Sequence, residues 1–365
     1  MKTLFNIVFL LMVPLVALAG PDKGKYTKTK TLNKSFPVNK TCMLQVENSF
    51  GNVSMTTWDK AQIDIKVVVE VSGDDEDDVV EKLREINVDF DTSSSRVIAR
   101  TDADFSNRNQ SSSIWNALFS SNSNRVTNMK IDYIIKLPKT ADIDIANDYG
   151  NVEIDDLFGH AKIQCDFGRI DIGNLHHEDN LLKFDYSKNC HFDYIKSATI
   201  RADFSGFELE KADKIEFSGD YTTGKFGEVD QLNFRNDFTT VQIESVRTVT
   251  GRGDYSTVKI DNVSEYVNLN TEFGSAKIRE LGRNFKEAIL RAEYTKVDVG
   301  VNKDASFTFD IDTEFAGINL SNDIITTKSN KNMTEKSKAG HYGSSSASST
   351  ININSSFGGV SLKIN

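Results

Sequence analysis

The chain has 365 residues, with 53 acidic against 43 basic side chains and a formal charge of −10. That balance argues against a general affinity for nucleic acid or anionic lipid. Three cysteines in a chain of this length cannot build a disulfide framework; Cys165 and Cys190 fall at different distances from their nearest repeat aromatic and read as buried thiols rather than a bridge.

Residues 1–19 read as a secretory signal peptide: an early Lys2, an apolar run from Leu4 to Leu18, and the small-x-small ending Ala17-Leu18-Ala19. The run contains Pro14 and falls short of the ~20 apolar residues a bilayer span requires. The expectation is an exported protein, in the periplasm or at the cell surface or outside the cell, with no transmembrane segment in the mature chain. Residues 20–40, with Lys23, Lys25, Lys28, Lys30, Lys34 and Lys40, read as a basic leader or linker.

Residues 41–145 form the expected α+β cap. Strand patterns lie at Met43–Met55, Gln62–Val71, Ile86–Asp91, Arg96–Thr101 and Lys130–Leu137. A helix is predicted from about Asp75 to Glu85, where acidic residues suit the positive N-terminal dipole and Val79, Val80, Leu83 and Ile86 recur at helical spacing. Inside the cap, residues 106–124 are a Ser/Asn-rich loop carrying Ile114, Trp115, Leu118 and Phe119. Those four side chains either pack on the body or form a partner-binding tip.

Residues 146–365 are a repeat array. Tyr149, Phe167, Tyr186, Phe204, Tyr221, Phe238, Tyr255, Phe273, Tyr294 and Phe315 each follow a carboxylate directly, at steps of about 17 to 21 residues. Numbered from the aromatic, positions −6 and −4 are usually apolar, −2 is usually small, +1 and +2 are mostly small, and apolar residues return at +3 and +5 in most coils. Each repeat then reads as strand, corner, strand, turn, with the small residues letting the backbone bend. A repeat this short cannot hold two strands and a crossover helix, so the fold class is all-β: a parallel β-helix, a solenoid of ~18-residue coils, right-handed by the general crossover rule. The strict alternation of Tyr and Phe fits a paired origin of the coils, and equally a turn of about 36 residues. A polar segment, 326–350, reads as a long loop before a last coil around Phe357, positioned to cover the open edge of the array.

The carboxylate before every aromatic forms a column that would repel itself by about 1 kcal/mol per neighbouring pair in water. Basic residues at −3 (Lys183, Arg201, Arg235, Arg252, Arg291) and the corner amides are the expected compensation. A calcium ladder would need converging oxygen ligands and lacks the glycine-aspartate nonapeptide; one column of like acids does not supply the two environments of a glycosidase pair. Arg252-Gly253-Asp254 follows from the repeat pattern. His160 and His177, one repeat apart and near His176, Glu178 and Asp179, are a cluster of zinc-ligand types, in a turn region where polar residues are expected anyway. With no phosphate loop, nucleophile elbow, zinc-helix motif or Cys-x-x-Cys pair, no catalytic, cofactor-binding or metal residue is assigned.

Asn48-Ser49-Phe50-Gly51-Asn52-Val53, Thr57-Trp58-Asp59-Lys60, Ile134-Ile135-Lys136-Leu137-Pro138-Lys139 and Asn147-Asp148-Tyr149-Gly150-Asn151-Val152 resemble the bacterial putative-adhesin family of unknown function, found in exported Bacteroidetes proteins. The resemblance covers roughly residues 40–365. It implies an exported β-helix-like protein and carries over no site residues. The expected function is a non-enzymatic adhesin-like or envelope scaffold protein that binds a protein or glycan partner through a ladder face or the long loops. The alternatives are a polysaccharide-active β-helix enzyme and an envelope-sensing partner of a membrane regulator.

Overall fold

A computed structural model describes residues 24–102 and 126–365. The signal-peptide segment 1–19 and the loop 106–124 lie outside the described residues. The chain divides into two compact units, Met1–Asp171 and Ile172–Asn365. It is all-β, with one helix among the described residues, and that helix is not long and apolar enough to cross a membrane.

The first unit contains, in chain order, β1 (Tyr26–Pro37), β2 (Met43–Ser49), β3 (Val53–Trp58), β4 (Gln62–Gly73), α1 (Glu76–Glu85), β5 (Asn87–Thr92), β6 (Arg96–Asp102), β7 (Val126–Pro138), β8 (Asp142–Asp148), β9 (Val152–Leu157) and β10 (Ala161–Asp166). The basic segment expected as a linker is instead strand β1, paired antiparallel along its whole length with β4. Tyr26, Lys28, Lys30, Leu32, Lys34 and Phe36 share one half-buried face and alternate with Thr, Asn and Ser, a period-two pattern that the charge count hides. β4 continues the pairing to β7, also antiparallel. Helix α1 begins one residue after the expected start, because Asp75 is its cap: the Asp75 carboxylate accepts from the Asp77 and Asp78 amides, and Val79 and Leu83 are buried.

Parallel pairing of the repeat type begins inside the segment expected as cap. β2 pairs in register with β8, and β3 with β9, across the whole insertion from β4 to β7. β8 then pairs with β10, Ile143 facing Ala161. The predicted single strand Met43–Met55 is therefore two strands joined by a corner at Phe50. On their other sides β2 and β3 take parallel partners β6 and β7. Inside, Asn48 donates to the Ile131 carbonyl and to Asn147 Oδ1, and accepts from Thr101, whose hydroxyl also meets Tyr133 at 2.8 Å. Burial pushes the Tyr133 phenol up to about 12.

The second unit contains most of β11 (Ile170–Leu175), then β12 (Asn180–Asp185), β13 (Cys190–Asp203), β14 (Gly206–Ser218), β15 (Thr223–Asp237), β16 (Thr240–Asp254), β17 (Thr257–Glu272), β18 (Ser275–Leu281), β19 (Glu287–Glu293), β20 (Lys296–Val301), β21 (Phe307–Glu314), β22 (Ile318–Leu320), β23 (Ile325–Lys331), β24 (Glu335–Tyr342), β25 (Ser349–Ser356) and β26 (Val360–Ile364). From β12 to β17 each strand pairs parallel with the next, Leu182 facing Ile200 and Phe217 facing Phe234. Inward residues of adjacent strands stack into a core rich in phenylalanine, where Phe207 meets Phe184, Phe217 and Phe226 edge to face at 5.1–5.8 Å.

The C-terminal end departs from chain order. β25 pairs parallel with β19 on one side and β21 on the other, and β26 likewise lies between β20 and β22. The last strand pair is thus inserted before the pair that precedes it in sequence. Residues 326–350, expected as a loop, hold a hairpin: β23 and β24 pair antiparallel, and β24 pairs antiparallel with β21. The alternation in Glu335–Tyr342 is carried by Lys, Ser, Ala and Gly, which are small or amphipathic enough to sit half-buried between β21 and the outer strand β23.

At the corners, the expectation that small residues carry the bend is corrected. The left-handed backbone belongs to the aromatic itself: φ is 64° at Phe50, 57° at Tyr149 and Phe167, and 47–57° at the other repeat aromatics and Phe357. The following small residue answers a different constraint. A Cβ on Gly150 would lie 1.9 Å from the Gly51 carbonyl oxygen of the paired strand connection. Gly150→Ala is therefore expected to destabilise the protein by about 1–3 kcal/mol through a forced backbone shift, read as a lower midpoint in urea unfolding followed by circular dichroism.

Candidate functional site

The corner builds a ladder on the protein surface. Left-handed backbone costs an aromatic residue roughly 1–2 kcal/mol, and what it gains is visible in the rings. In the first unit Phe50 stacks on Tyr149 and Tyr149 on Phe167, at 5.3 and 5.0 Å between centroids. In the second, Tyr186, Phe204, Tyr221, Phe238, Tyr255, Phe273 and Tyr294 stack in turn at 4.8–5.0 Å with planes within 8° of parallel. Phe357 follows Tyr294 at 4.7 Å and precedes Phe315 at 5.0 Å. Each aromatic contact is worth about 0.5–1.5 kcal/mol beyond its buried area, so the stack offsets most of the strain. Because neighbours cover both faces of each inner ring, the rims point to solvent. The second-unit rings remain 44–55% exposed, an apolar stripe along the array.

Phe50 escaped the sequence pattern because serine, not a carboxylate, precedes it, as it also precedes Phe357 of the expected last coil. The shared signal was Ser-Phe-Gly: both corners keep the aromatic and the glycine. Insertion of Phe357 between Tyr294 and Phe315 also ends the Tyr/Phe alternation, since two phenylalanines then adjoin.

The carboxylate column is held mainly from the backbone. The Asp203 amide donates to Asp185 Oδ1, the Asp220 amide to Asp203 Oδ1 and the Asp237 amide to Asp220 Oδ1, at 2.9–3.2 Å. These three acids are thus solvated by a neighbour's amide, which answers the repulsion there. Of the basic column, Arg252 approaches Asp254 at 3.9 Å, which places the Arg252-Gly253-Asp254 triplet in strand β16 as an ion pair along one face. Lys183 lies beside Arg201, and Arg235 beside Arg252, in the paired strands. In the first unit the repulsion shows: burial, then the Asp166 charge, holds the Asp148 carboxyl above the usual range.

Under the rings runs a second column that sequence reading recorded only as small residues. Ser187, Ser205, Thr222, Thr239, Ser256 and Thr295 are buried at +1. The Thr222 hydroxyl lies 3.0 Å from the Asp220 carbonyl and 2.8 Å from the Ala202 carbonyl, and accepts from the Ser205 amide at 3.2 Å. Thr239 repeats this with the Asp237 and Gly219 carbonyls. These hydroxyls satisfy the backbone groups that each corner removes from the ladder of strand hydrogen bonds.

The other outward face of β13 to β17 carries an open groove of about 800 Å³ around Gly227, bordered by Glu210 and Glu244 and by Glu208, Lys225 and Lys259. A side chain at Gly227 would meet the Glu210 carbonyl oxygen at 2.4 Å, so close backbone approach leaves this notch without a side chain. The histidines weighed for a metal are engaged locally. The His160 amide donates to Asp142. His177 Nδ1 accepts from the Asp179 amide, Glu178 pairs with Lys196 at 2.8 Å, and His176 lies against the Tyr194 ring. Cys42, Cys165 and Cys190 are buried thiols, none of them in a disulfide, and burial raises the Cys42 thiol.

Among solved structures, the chain is similar to a putative cell adhesion protein from Clostridium sporogenes, at 13% identity over 93% of this chain and 100% of that one, TM-score 0.17. It is also similar to putative adhesins from Bacteroides fragilis (14% identity, 66% and 97% covered, TM-score 0.30) and Parabacteroides distasonis (10%, 77% and 98%, TM-score 0.35). These scores carry no inference about partner or activity. No protein-family model matches the chain, and no curated protein matches it.

Two substitutions test the ladder's supports. Thr222→Val keeps the shape and removes the hydroxyl, leaving the Ser205 amide without its acceptor; a loss of about 1–3 kcal/mol in unfolding free energy is expected. Asp148→Asn acts the other way. The folded carboxyl titrates above its unfolded value, so ionisation costs stability as pH rises through that window, and the cost persists above it. The variant should therefore be more stable than the parent at neutral pH and equal to it in acid below the carboxylate range, as read by thermal melting at both pH values.

Proposed function

We propose that this protein is a non-enzymatic, adhesin-like binding protein that contacts its protein or glycan partner through the ring ladder of the second unit. The observation that carries the reading is the uninterrupted run of exposed rims from Tyr186 to Phe315. A contiguous apolar stripe is a liability on a soluble surface unless something covers it. Aromatic side chains are also the residues that interfaces enrich. The inner rings are fixed on both faces by neighbours and their corners are held by the hydroxyl column, so binding would cost little side-chain ordering. The flanking carboxylates supply a polar edge.

The rest of the reading has its own supports. Paired strands bring together residues a single repeat apart in the chain, as in Cys190 facing Phe207 and Asn180 facing Ala198, which favours a solenoid turn of one repeat over a turn of two. A right-handed turn rests on the crossover rule. Export to the periplasm, cell surface or medium rests on the leader at residues 1–19. The ladder is preferred to the 326–350 segment as the contact because that segment is occupied in pairing with β21. The alike carboxylates of the column, of which Asp185, Asp203 and Asp220 each take a neighbour's amide, do not supply the unlike acid and base of glycan cleavage.

The test is a panel of bacterial and host glycans and envelope proteins, read by mass spectrometry for retained ligand and for cleaved product. Retention without cleavage is expected, weakened at least tenfold when Tyr221, Phe238 and Tyr255 are replaced together by serine and unchanged in Glu244→Gln. Cleaved glycan overturns the non-enzymatic reading, and a ligand indifferent to the triple variant overturns the ladder.

A further inference from the structure

Away from the ring ladder, at the edge of the Gly227 groove, the pairing of β13 and β14 brings Glu210 to two β13 side chains that lie a full repeat before it in the chain. His191 and Asp193 are next-but-one neighbours on β13 and so face the same side. Glu210 on β14 stands beside Asp193, between the pairs Phe192–Leu209 and Tyr194–Lys211. The result is one imidazole nitrogen and two carboxylate oxygens, all within 4.8 Å of one another. His191 Nε2 is 2.9 Å from Asp193 Oδ1 and 3.6 Å from Glu210 Oε1.

We propose that His191, Asp193 and Glu210 form a binding site for a divalent first-row transition-metal ion, with Zn²⁺ as the representative. Four-coordinate zinc, with nitrogen and oxygen ligands at ~2.0–2.2 Å, sets ligand atoms about 3.3–3.6 Å apart. The two histidine distances bracket that spacing, so occupation requires small side-chain rotations at Asp193 and Glu210, not a backbone movement. The carboxylates are 55% and 63% exposed and the histidine 37%, which leaves an entry path. Basic neighbours are turned to other acids: Lys211 to Glu228 at 3.5 Å, and Lys225 to Glu208 at 4.0 Å. Imidazole with carboxylates selects zinc, cobalt or nickel over calcium and magnesium, which favour all-oxygen shells. Three protein ligands leave a fourth position, and because Asp193 and Glu210 also border the groove, that position can be taken by water or by an oxygen of a groove ligand.

The competing arrangement is a protonated His191 that simply bridges two acids. Isothermal calorimetry with ZnCl₂ separates the two, using tag-free protein, His191→Ala, Glu210→Gln and, as a control, His177→Ala, with circular dichroism to verify folding. One equivalent bound by the parent and by the control, with affinity reduced at least tenfold in both site variants, is the expected result. A parent that binds no zinc, or binding of unchanged affinity in His191→Ala, overturns the site. Co²⁺ gives a second readout on the parent alone: intense visible absorption marks a four-coordinate centre, and the weak spectrum of hexa-aqua cobalt after one equivalent overturns it.

Discussion

An aromatic residue in left-handed backbone is costly by itself, and here it is tolerated because it is repeated. Each ring at a corner finds its counterpart one strand away, at 4.7–5.0 Å in the second unit. That spacing is the strand separation of a sheet, so stacking and strand pairing demand the same register. A ring placed one residue off would lose its stack and flip the strand's core face to solvent together. The corner therefore acts as a register lock: strain at the aromatic is offset by the stack above it and the hydroxyls beneath.

The same constraint shapes the surroundings. The residue after the aromatic must be small, and the two units meet that requirement differently. In the first, Gly150 and Gly168 allow the carbonyl of the neighbouring corner, and Gly51 the Ile131 carbonyl of β7, to approach closely, with buried Asn48 and Asn147 bridging the gap. In the second, Ser and Thr fill most of these positions and their hydroxyls bind the carbonyls. Function is proposed to rest on the by-product of this arrangement, a stripe of rims that the core has no means of covering.

The ends of the array show how far local pattern can be overridden. β25 and β26 carry an ordinary repeat pattern, yet they lie between strands that precede them in the chain. Nothing in the residues of Ser349–Ile364 encodes which pair of neighbours they join, because any coil offers the same apolar columns. The hairpin β23–β24 decides it, since its pairing with β21 occupies the side that β25 would otherwise take.

By itself the sequence determined what is local: the all-β class, the helix from about Asp75 to Glu85, the strand-corner-strand unit and the aromatic column, since period-two burial, helix signals and corner chemistry depend on near neighbours in the chain. Expectations that depended on distant partners went differently. The basic segment became β1 because β4 offered an edge, the polar segment became a hairpin because β21 did, and the left-handed φ fell on the ring, not on the small residue, because only stacking repays it. His191, Asp193 and Glu210 were likewise invisible as a group: Glu210 stands a full repeat beyond Asp193 in the chain, and the three acquire chemical meaning only when parallel pairing lays β14 beside β13.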